Sequence, residues 1–402
     1  MPKVGIIREE KNPPDERVPF SPEQCVEILQ KFPDVNLQVR SSNVRRFQNI
    51  QYQNLDIEVT EDVSHSDVLF GVKEVPIVSL IPNKTYFFFS HTIKKQPYNR
   101  KLLNAVLDKN IRLIDYECLV GLDGKRIVGF GRYAGIVGTY NALLAYGLKH
   151  KKYTLKPAYK CNDYQEVKQE LQKVNLENIK IVITGRGRVA TGAMEILDFI
   201  GIEQVSVHDY LTKNFKHPVY VQLAVTDYNR RKDGERLGVK DFFKNYAEYE
   251  SDFMRFAAVS DMYVACHFWK EGSPFIFTRD DAKLPSFKIE LVADISCDID
   301  GPVASTLRPS TIKNPLYGYD AESETEVEFD APNSITVMAV DNLPCELPKD
   351  ASTDFGRELI NKVLPELFNG DANKIIANAT ITENGKLTSK YAYLQDYADG
   401  KE

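Results

Sequence analysis

The length, composition and charge of the chain exclude several classes of protein. Its 402 residues suggest two domains, because compact domains usually hold roughly 100 to 200 residues. With 43% hydrophobic and 27% charged residues, the chain is neither a disordered segment nor a small disulfide-stapled fold. Because 51 basic residues face 57 acidic ones, for a net charge of −6, we expect no nucleic-acid partner and no membrane surface as partner.

The cysteines and the amino-terminal residues indicate a cytoplasmic protein. The six cysteines include no C-x-x-C pair, which argues against a zinc or dithiol motif and favours reduced thiols. The opening residues, MPKVGIIREEKNPPDERVPF, carry charges where a signal peptide needs an apolar run, and no stretch approaches the roughly 18 apolar residues of a membrane span.

The first third of the chain alternates predicted strands with predicted helices. Ser21-Pro22-Glu23-Gln24 predicts a helix start at which Ser21 caps and Gln24 closes a capping box. The alternation is typical of an α/β domain with a parallel sheet covered by helices on both faces. The strands of this region are predicted at 3–8, 68–72 and 85–90, and a second helix at 97–108.

A buried helix over 133–149 is predicted to lead into a second series of strands. An amphipathic helix over 352–368 follows that series and is expected to pack back on the first domain, which would then be discontinuous. The residues 210–251 are expected to form loops and short helices. The strands of the second series are predicted at 179–185, 205–209, 262–266, 289–295 and 335–341.

A glycine-rich turn between a predicted strand and a predicted helix indicates a dinucleotide site. The turn is Gly185-Arg186-Gly187-Arg188-Val189, and Asp209 follows 24 residues after its first glycine. Glycines let a pyrophosphate approach backbone N–H groups at a helix N-terminus, and a carboxylate can accept both ribose hydroxyls. Asp209 favours NAD, because a carboxylate repels a 2′-phosphate, whereas Arg186 and Arg188 leave NADP as the alternative.

Segments spread over nearly the whole chain resemble a known enzyme family. They are IIREEKNPPDERVPFSPE at the start, GVKEVP (71–76), FFFSHTIK (87–94), DYECLVGLDGKRIVGFGRYAGIVG (115–138), ADISCDIDGPV (293–303) and AVDNLPCELPKDASTDFG (339–356). The family is the alanine dehydrogenase and transhydrogenase group, and within it the branch of lysine-forming saccharopine dehydrogenases and lysine-ketoglutarate reductases. CHFWKEGSPFIF and STIKNPLYGYD favour that branch over true alanine dehydrogenases.

The resemblance implies an α/β fold of two Rossmann-like domains, whose parallel sheets are flanked by helices, with the active-site cleft between the domains. A discontinuous catalytic domain, like the amino-terminal domain of alanine dehydrogenase, is predicted over 1–132 plus 346–402. A dinucleotide-binding domain is predicted over 133–345. The implied activity interconverts saccharopine with lysine and 2-oxoglutarate using NAD, with NADP as the alternative cofactor. A separate saccharopine-cleaving enzyme is the implied partner.

The family pattern also assigns roles to particular residues. Lys73 and His91 match its acid/base pair, and Arg17 matches its substrate-carboxylate arginine. Glu117 and Arg126 resemble the groups that flank the substrate in the saccharopine branch, and Asp298 resembles the acid at the rim of the nicotinamide pocket. We expect no metal, since the histidines, with His267 interpreted as structural, show no ligand spacing.

These residue types suit imine chemistry without the family. Making or breaking a secondary amine by hydride transfer passes through an imine, whose hydration needs proton transfers near neutral pH, a task suited to histidine. Lys73 can share that task only if its pKa falls, and the sequence leaves open whether Arg17 lowers that pKa more than Glu117 raises it. Planar arginines such as Arg17 and Arg126 can bind carboxylates in a bidentate manner.

Plainer interpretations stay open for each residue and for the whole chain. Lys73, His91 and Arg17 could be solvated residues at strand ends, and Glu117 with Arg126 could be a surface ion pair. Asp298, together with Asp294, could cap a helix. For the whole chain, the alternatives are an alanine dehydrogenase-like enzyme and a catalytically silent NAD-binding module.

Overall fold

A computed structural model describes residues 2–401 and divides the chain into two compact units. The first unit comprises 1–130 with 348–402, and the second comprises 131–347. Among the described residues, no helix is long and apolar enough to cross a membrane. The predicted domain boundaries and their roles stay a prediction.

The strands in chain order are β1 (Lys3–Ile6), β2 (Asn36–Arg40), β3 (Glu58–Thr60), β4 (Val68–Phe70), β5 (Thr85–Phe88), β6 (Arg112–Asp115), β7 (Lys180–Thr184), β8 (Glu203–Gln204), β9 (Val219–Leu223), β10 (Asn229–Arg231), β11 (Tyr249–Ser251), β12 (Met262–Ala265), β13 (Leu291–Asp294), β14 (Leu316–Asp320), β15 (Thr325–Val327), β16 (Ile335–Met338), β17 (Thr380–Glu383) and β18 (Lys386–Leu387).

The α-helices are α1 (Pro22–Lys31), α2 (Asn49–Gln53), α3 (Arg100–Asp108), α4 (Gly131–Lys149), α5 (Tyr164–Leu171), α6 (Arg188–Phe199), α7 (Val207–Thr212), α8 (Val239–Lys244), α9 (Met254–Ala257), α10 (Arg279–Lys283), α11 (Pro348–Glu358), α12 (Leu364–Phe368), α13 (Ile375–Ala379) and α14 (Gln395–Ala398). A π-helical turn (Leu359–Val363) joins α11 to α12.

The first unit is built on a mostly parallel eight-stranded sheet. Its strand order is β18-β17-β6-β5-β4-β1-β2-β3, and only the β17–β6 and β17–β18 pairs are antiparallel. Helix α1 begins with the predicted capping box, in which Ser21 Oγ accepts from the Gln24 N–H. Helix α11 contributes Phe355 to the same buried core as β1, and Ser352 Oγ accepts from the Val18 N–H at 2.9 Å.

The second unit is built on another eight-stranded sheet, in the order β15-β14-β16-β13-β12-β7-β9-β8. Strands β16 to β8 in that order pair in parallel, and β14 and β15 add an antiparallel edge. The predicted fold class of two mostly parallel sheets flanked by helices is thereby confirmed.

Two predictions within the second unit are wrong. The strand predicted over 205–209 is a short helix, because Ser206 caps α7 by accepting from the Asp209 N–H, and the neighbouring strand β8 is only two residues long. The segment 210–251 holds the expected short helix α8, but the expectation missed β9, which lies in the same segment and pairs directly with β7. The five residues VYVQL, four of them apolar, gave too weak a signal inside a polar segment.

Close helix packing in the second unit positions the glycine-rich turn. A Cβ added to Gly135 of α4 would lie 1.9 Å from the Val189 carbonyl oxygen, and one added to Gly192 of α6 would lie 1.9 Å from that of Arg132. The two backbones are therefore too close for any larger residue at either glycine. This contact holds the N-terminus of α6 beside the carboxyl end of β7.

Candidate active site

The predicted catalytic residues of the first unit follow the carboxyl ends of neighbouring parallel strands. Arg17 follows β1, Lys73 follows β4, His91 follows β5 and Glu117 follows β6, and these strands are adjacent in the order β6-β5-β4-β1. Because carboxyl ends of parallel strands meet at one edge of a sheet, residues distant in sequence are brought together there.

His91 lies between two carboxylates. Its Nδ1 is 3.0 Å from Glu117 Oε2, and its Nε2 is 3.7 Å from Glu74 Oε1. The His91 backbone is left-handed, with φ of 54°, and its ring stacks on Phe89. The carboxylates therefore orient the imidazole, as a proton-transferring histidine requires.

Glu117 is an anion held by its neighbours. Besides His91, Lys94 Nζ and an Arg126 guanidinium nitrogen each lie 3.4 Å from its Oε1. Burial opposes ionisation of Glu117, but the hydrogen bond from His91 and the charges of Lys94, His91 and Arg126 lower its pKa to about 2. Arg126 is 44% exposed while Glu117 is 7% exposed, so this pair is only partly of the surface type.

Lys73 lies in an environment that disfavours its charge. Burial lowers the pKa of its ammonium, and the positive charge of Arg17 adds to this effect, whereas Asp15 and Glu74 oppose it. The direction left open by the sequence is therefore downward, which is the direction that proton transfer by lysine needs.

Arg17 is buried and occupied by an internal carboxylate. Its guanidinium donates to Asp15 through Nε at 3.0 Å and through a terminal nitrogen at 2.6 Å, and it lies 4.1 Å from the centroid of the Phe130 ring. Burial opposes ionisation of Asp15, but Arg17 and Lys73 lower the Asp15 pKa to about 2. Arg17 is 2% exposed, so this geometry does not support its predicted binding of a substrate carboxylate.

The glycine-rich turn of the second unit has the shape that a dinucleotide needs. Gly185 has a φ of +104°, and a Cβ there would lie 2.5 Å from the Cys266 carbonyl oxygen. Gly187 is the N-cap residue of α6, and a Cβ there would meet nothing within 4 Å. A ligand can therefore approach the backbone at Gly187 and the twelve-residue helix behind it.

A cavity of about 560 Å³ opens beside this turn. Its lining includes four of the residues predicted to bind the cofactor and also Asp298; the four are Gly185, Arg186, Gly187 and Val189. Burial, followed by the charge of Asp294, raises the pKa of Asp298 to about 6. The volume and the open face of the helix N-terminus fit a bound dinucleotide.

Two predicted cofactor residues lie outside this cavity lining. Arg188 begins α6, and Asp209 lies in α7, where its carboxylate is 3.0 Å from Lys213 Nζ. On the side of β7 away from β12, the neighbouring strand is β9, and the residues that follow β9 and line the cavity are Ala224, Val225 and Tyr228. The position assigned to Asp209 at the end of a strand is therefore wrong.

Several residues of both sites were not predicted from the sequence. Four charged residues lie around the predicted catalytic residues, namely Glu9, Asp15, Glu74 and Lys94. In the second unit, His267 lines the cavity. A signal for His267 was present, since it directly follows the predicted strand 262–266. Among the described residues, no group of three or more histidine, cysteine, aspartate or glutamate side chains could hold a metal ion. The expected absence of a metal stays a prediction.

The amino-terminal third of the chain matches a known protein family. Residues 5–137 match the family described as "Alanine dehydrogenase/PNT, N-terminal domain". The structure matches an L-alanine dehydrogenase with a TM-score of 0.64 at 14% identity, covering all of both chains, which concerns the fold alone. The chain therefore shares the fold of that enzyme, and its amino-terminal third matches the N-terminal domain of that family.

Relatives in sequence match about nine-tenths or more of the chain. The chain is 30% identical to the mitochondrial alpha-aminoadipic semialdehyde synthase of Rattus norvegicus over 100% of its own length and 48% of the relative's. It is 25% identical to the NAD⁺-linked, L-lysine-forming saccharopine dehydrogenase of Schizosaccharomyces pombe over 89% of its own length and 91% of the relative's. It spans about half the length of the semialdehyde synthases. The resemblance to the saccharopine dehydrogenase branch of the alanine dehydrogenase family is confirmed.

Proposed function

We propose that this chain interconverts saccharopine with L-lysine and 2-oxoglutarate by hydride transfer with a nicotinamide dinucleotide. The observation that carries the proposal is the arrangement after β4, β5 and β6, where Lys73 has a lowered pKa and His91 lies between Glu74 and Glu117. The names of the relatives matched over nine-tenths of their length support the substrate.

The chemistry requires one hydride transfer and several proton transfers. In the lysine-forming direction, saccharopine, the oxidised cofactor and water give lysine, 2-oxoglutarate, the reduced cofactor and a proton. The bound nicotinamide supplies the hydride acceptor. We propose that Lys73 and His91 transfer the protons needed when water hydrolyses the C–N bond of the imine. Glu117 orients His91 and offsets the positive charge that His91 gains when it accepts a proton.

The charges around Glu117 suit a substrate with several carboxylates. Lys94 and Arg126 are about half exposed, whereas Arg17 is paired within the protein. We therefore assign substrate-carboxylate binding first to Arg126. Arg17 would take the role predicted for it only by releasing Asp15. In the structure as it stands, its charge contributes to the lowered pKa of Lys73.

For the cofactor, we propose that NADP is accepted as well as NAD. The preference for NAD rested on Asp209, which pairs with Lys213 and does not line the cavity. Arg186 does line it, and a guanidinium there can bind a 2′-phosphate. Substitution of Arg186 by alanine should weaken NADPH binding more than NADH binding, whereas Asp209→Asn should change neither.

The test is a spectrophotometric assay at 340 nm with saccharopine plus NAD or NADP. The reverse reaction uses lysine, 2-oxoglutarate and each reduced cofactor. Turnover in either direction supports the proposal. Reduction of NAD by alanine but not by saccharopine would identify an alanine dehydrogenase-like enzyme, and cofactor binding without turnover of any amino or keto acid would identify a silent binding module. A cytoplasmic location and a separate saccharopine-cleaving enzyme stay predictions.

A further inference from the structure

His267 lines the cavity of the second unit, beside the glycine-rich turn. It follows β12, which pairs with β7, and its Cα lies 3.1 Å from the point where a Cβ on Gly185 would stand. The residue lines the cavity and is 8% exposed. A ligand in this cavity could therefore contact His267, which the sequence predicted to be structural.

A buried hydrogen-bond chain favours the form of His267 in which Nε2 carries the proton. Thr184 Oγ1 is 2.9 Å from the Tyr263 hydroxyl and 3.0 Å from His267 Nδ1. If Tyr263 donates to Thr184 and Thr184 donates to Nδ1, each hydroxyl proton has an acceptor and the imidazole proton lies on Nε2. If Nδ1 instead donated to Thr184, one of the two buried hydroxyls, Thr184 or Tyr263, would have no acceptor among the hydrogen bonds of the described residues.

The Nε2 atom has no hydrogen-bond partner among residues 2–401. Burial lowers the pKa of His267 to about 4, so the ring stays neutral near pH 7 and Nε2 carries its hydrogen. A buried N–H without an acceptor is unfavourable. A ligand that brings an oxygen to Nε2 would remove this penalty.

We propose that His267 binds the dinucleotide by donating from Nε2 to an oxygen of the pyrophosphate or of the adjoining nicotinamide ribose. The assignment to this half of the cofactor follows from topology. Strand β12 lies on the opposite side of β7 from β9, toward β13 and Asp298. The adenosine half then lies on the β9 side. The inference rests on the proposed dinucleotide site and adds a residue that the sequence motif does not contain.

Three substitutions test the donor. His267→Phe removes both nitrogens, His267→Asn keeps an amide near the Nδ1 position only, and His267→Gln can return an amide N–H near the Nε2 position. We expect the Phe and Asn variants to raise the dissociation constant for NADPH and NADH at least about 10-fold, and the Gln variant to restore most of the affinity. The readout is quenching or enhancement of reduced-cofactor fluorescence.

Fragments of the cofactor and thermal melting separate binding from folding. ADP-ribose, which carries the pyrophosphate and a second ribose, should lose affinity in the Asn variant, whereas AMP should bind as in the wild type. The melting temperature of the ligand-free Asn variant should stay within a few degrees of the wild type, because a buried donor without a partner has been removed.

Three results would overturn the inference, and they are distinguishable. If the wild type binds NADPH or NADH and the Phe and Asn variants bind equally well, His267 is structural while the proposed function stands. Equal weakening of AMP and ADP-ribose together with a lower melting temperature would likewise assign a structural role. If no dinucleotide binds to the wild type, both this inference and the proposed function fail.

Discussion

At the scale of single residues, burial and neighbouring charges decide what each functional group does. Lys73 and Arg17 are both cations near Asp15, yet only Arg17 is bound to it in a bidentate manner. Lys73 is left with a lowered pKa, since burial and the charge of Arg17 outweigh the attraction of Asp15 and Glu74. The structure thus distinguishes an arginine that tunes its surroundings from a lysine suited to proton transfer.

Substitution of Lys73 by methionine should separate chemistry from binding. We expect kcat to fall by about 10²- to 10⁴-fold, the usual range for a lost acid/base group, while the dissociation constant for the reduced cofactor changes less than about threefold. The exposed Lys101→Met is the matched control and should retain wild-type kcat. Equal losses of turnover and of cofactor affinity would contradict the role given to Lys73.

A buried carboxyl in the second unit should make stability depend on pH. Burial raises the pKa of Glu346 to about 8, against the hydrogen bonds from Asn141 and from the Tyr159 backbone. A carboxyl whose folded-state pKa is raised contributes stability that is present below the unfolded value of about 4.3 and is lost as the pH rises toward 8.

Glu346→Gln should therefore gain stability relative to the wild type as the pH rises from 5 to 9. The expected gain between pH 5 and pH 9 is on the order of 4 kcal/mol, or several degrees in melting temperature. The exposed Glu235→Gln serves as control and should show no such trend. Parallel melting curves for wild type and Glu346→Gln across this pH range would argue against a protonated Glu346 in the folded protein.

Much of this residue-scale picture depends on which side chains the fold buries and which partners it gives them. Lys73, His91 and Glu117 could be predicted because each follows a strand and belongs to a recognisable segment. The pairing of Arg17 with Asp15 could not, since an arginine two residues from an aspartate is equally compatible with a solvated loop. Nor does the sequence reveal the unpartnered Nε2 of His267, which depends on Thr184 and Tyr263.

At the scale of elements, the contact between α4 and α6 positions the glycine-rich turn. Gly135 and Gly192 allow the two helix backbones to touch, and α6 is the helix whose N-terminus borders the cavity. The sequence predicted α4 as a buried helix with small residues, because its apolar and small residues recur at helical spacing. Its partner helix was not predictable from that pattern.

Two glycine substitutions should separate packing from ligand approach. Gly135→Ala places a Cβ 1.9 Å from a backbone oxygen, so we expect a loss of about 1–3 kcal/mol in the free energy of unfolding, measured with urea. Gly187→Ala meets open space, so stability should be unchanged while NADPH and NADH bind at least about 10-fold more weakly. Unchanged cofactor affinity in Gly187→Ala would remove the glycine turn from the binding site.

The misplaced Asp209 shows where element prediction from sequence fails. The alternating pattern VSVHD suggested a strand. Instead, Ser206 accepts a hydrogen bond from the Asp209 N–H and caps helix α7, and the strand before it, β8, pairs with β9 over only two residues. Strand β9 occupies the place beside β7 that β8 was expected to take. Because neighbouring strands in this sheet are not in sequence order, the ribose side of the cavity could not be inferred by counting residues.

At the scale of the whole molecule, the repeated α/β alternation predicted the fold class. In each of the two sheets the antiparallel strands lie together at one edge, β17 and β18 in the first and β14 and β15 in the second, and the remaining strands are parallel. Those edge strands were not predicted, because short strands outside the α/β alternation carry little periodic signal. The family segments extend over both units, in agreement with relatives that match nine-tenths or more of the chain.

The most direct test of the central claim follows a deuteride from cofactor to product. Purified protein is supplied with lysine, 2-oxoglutarate and NADPH or NADH carrying deuterium at the transferable position of the nicotinamide, and saccharopine is analysed by mass spectrometry. The account predicts saccharopine with one deuterium, on the former carbonyl carbon of 2-oxoglutarate. Unlabelled saccharopine, or no saccharopine under conditions in which the protein binds the reduced cofactor, would contradict it.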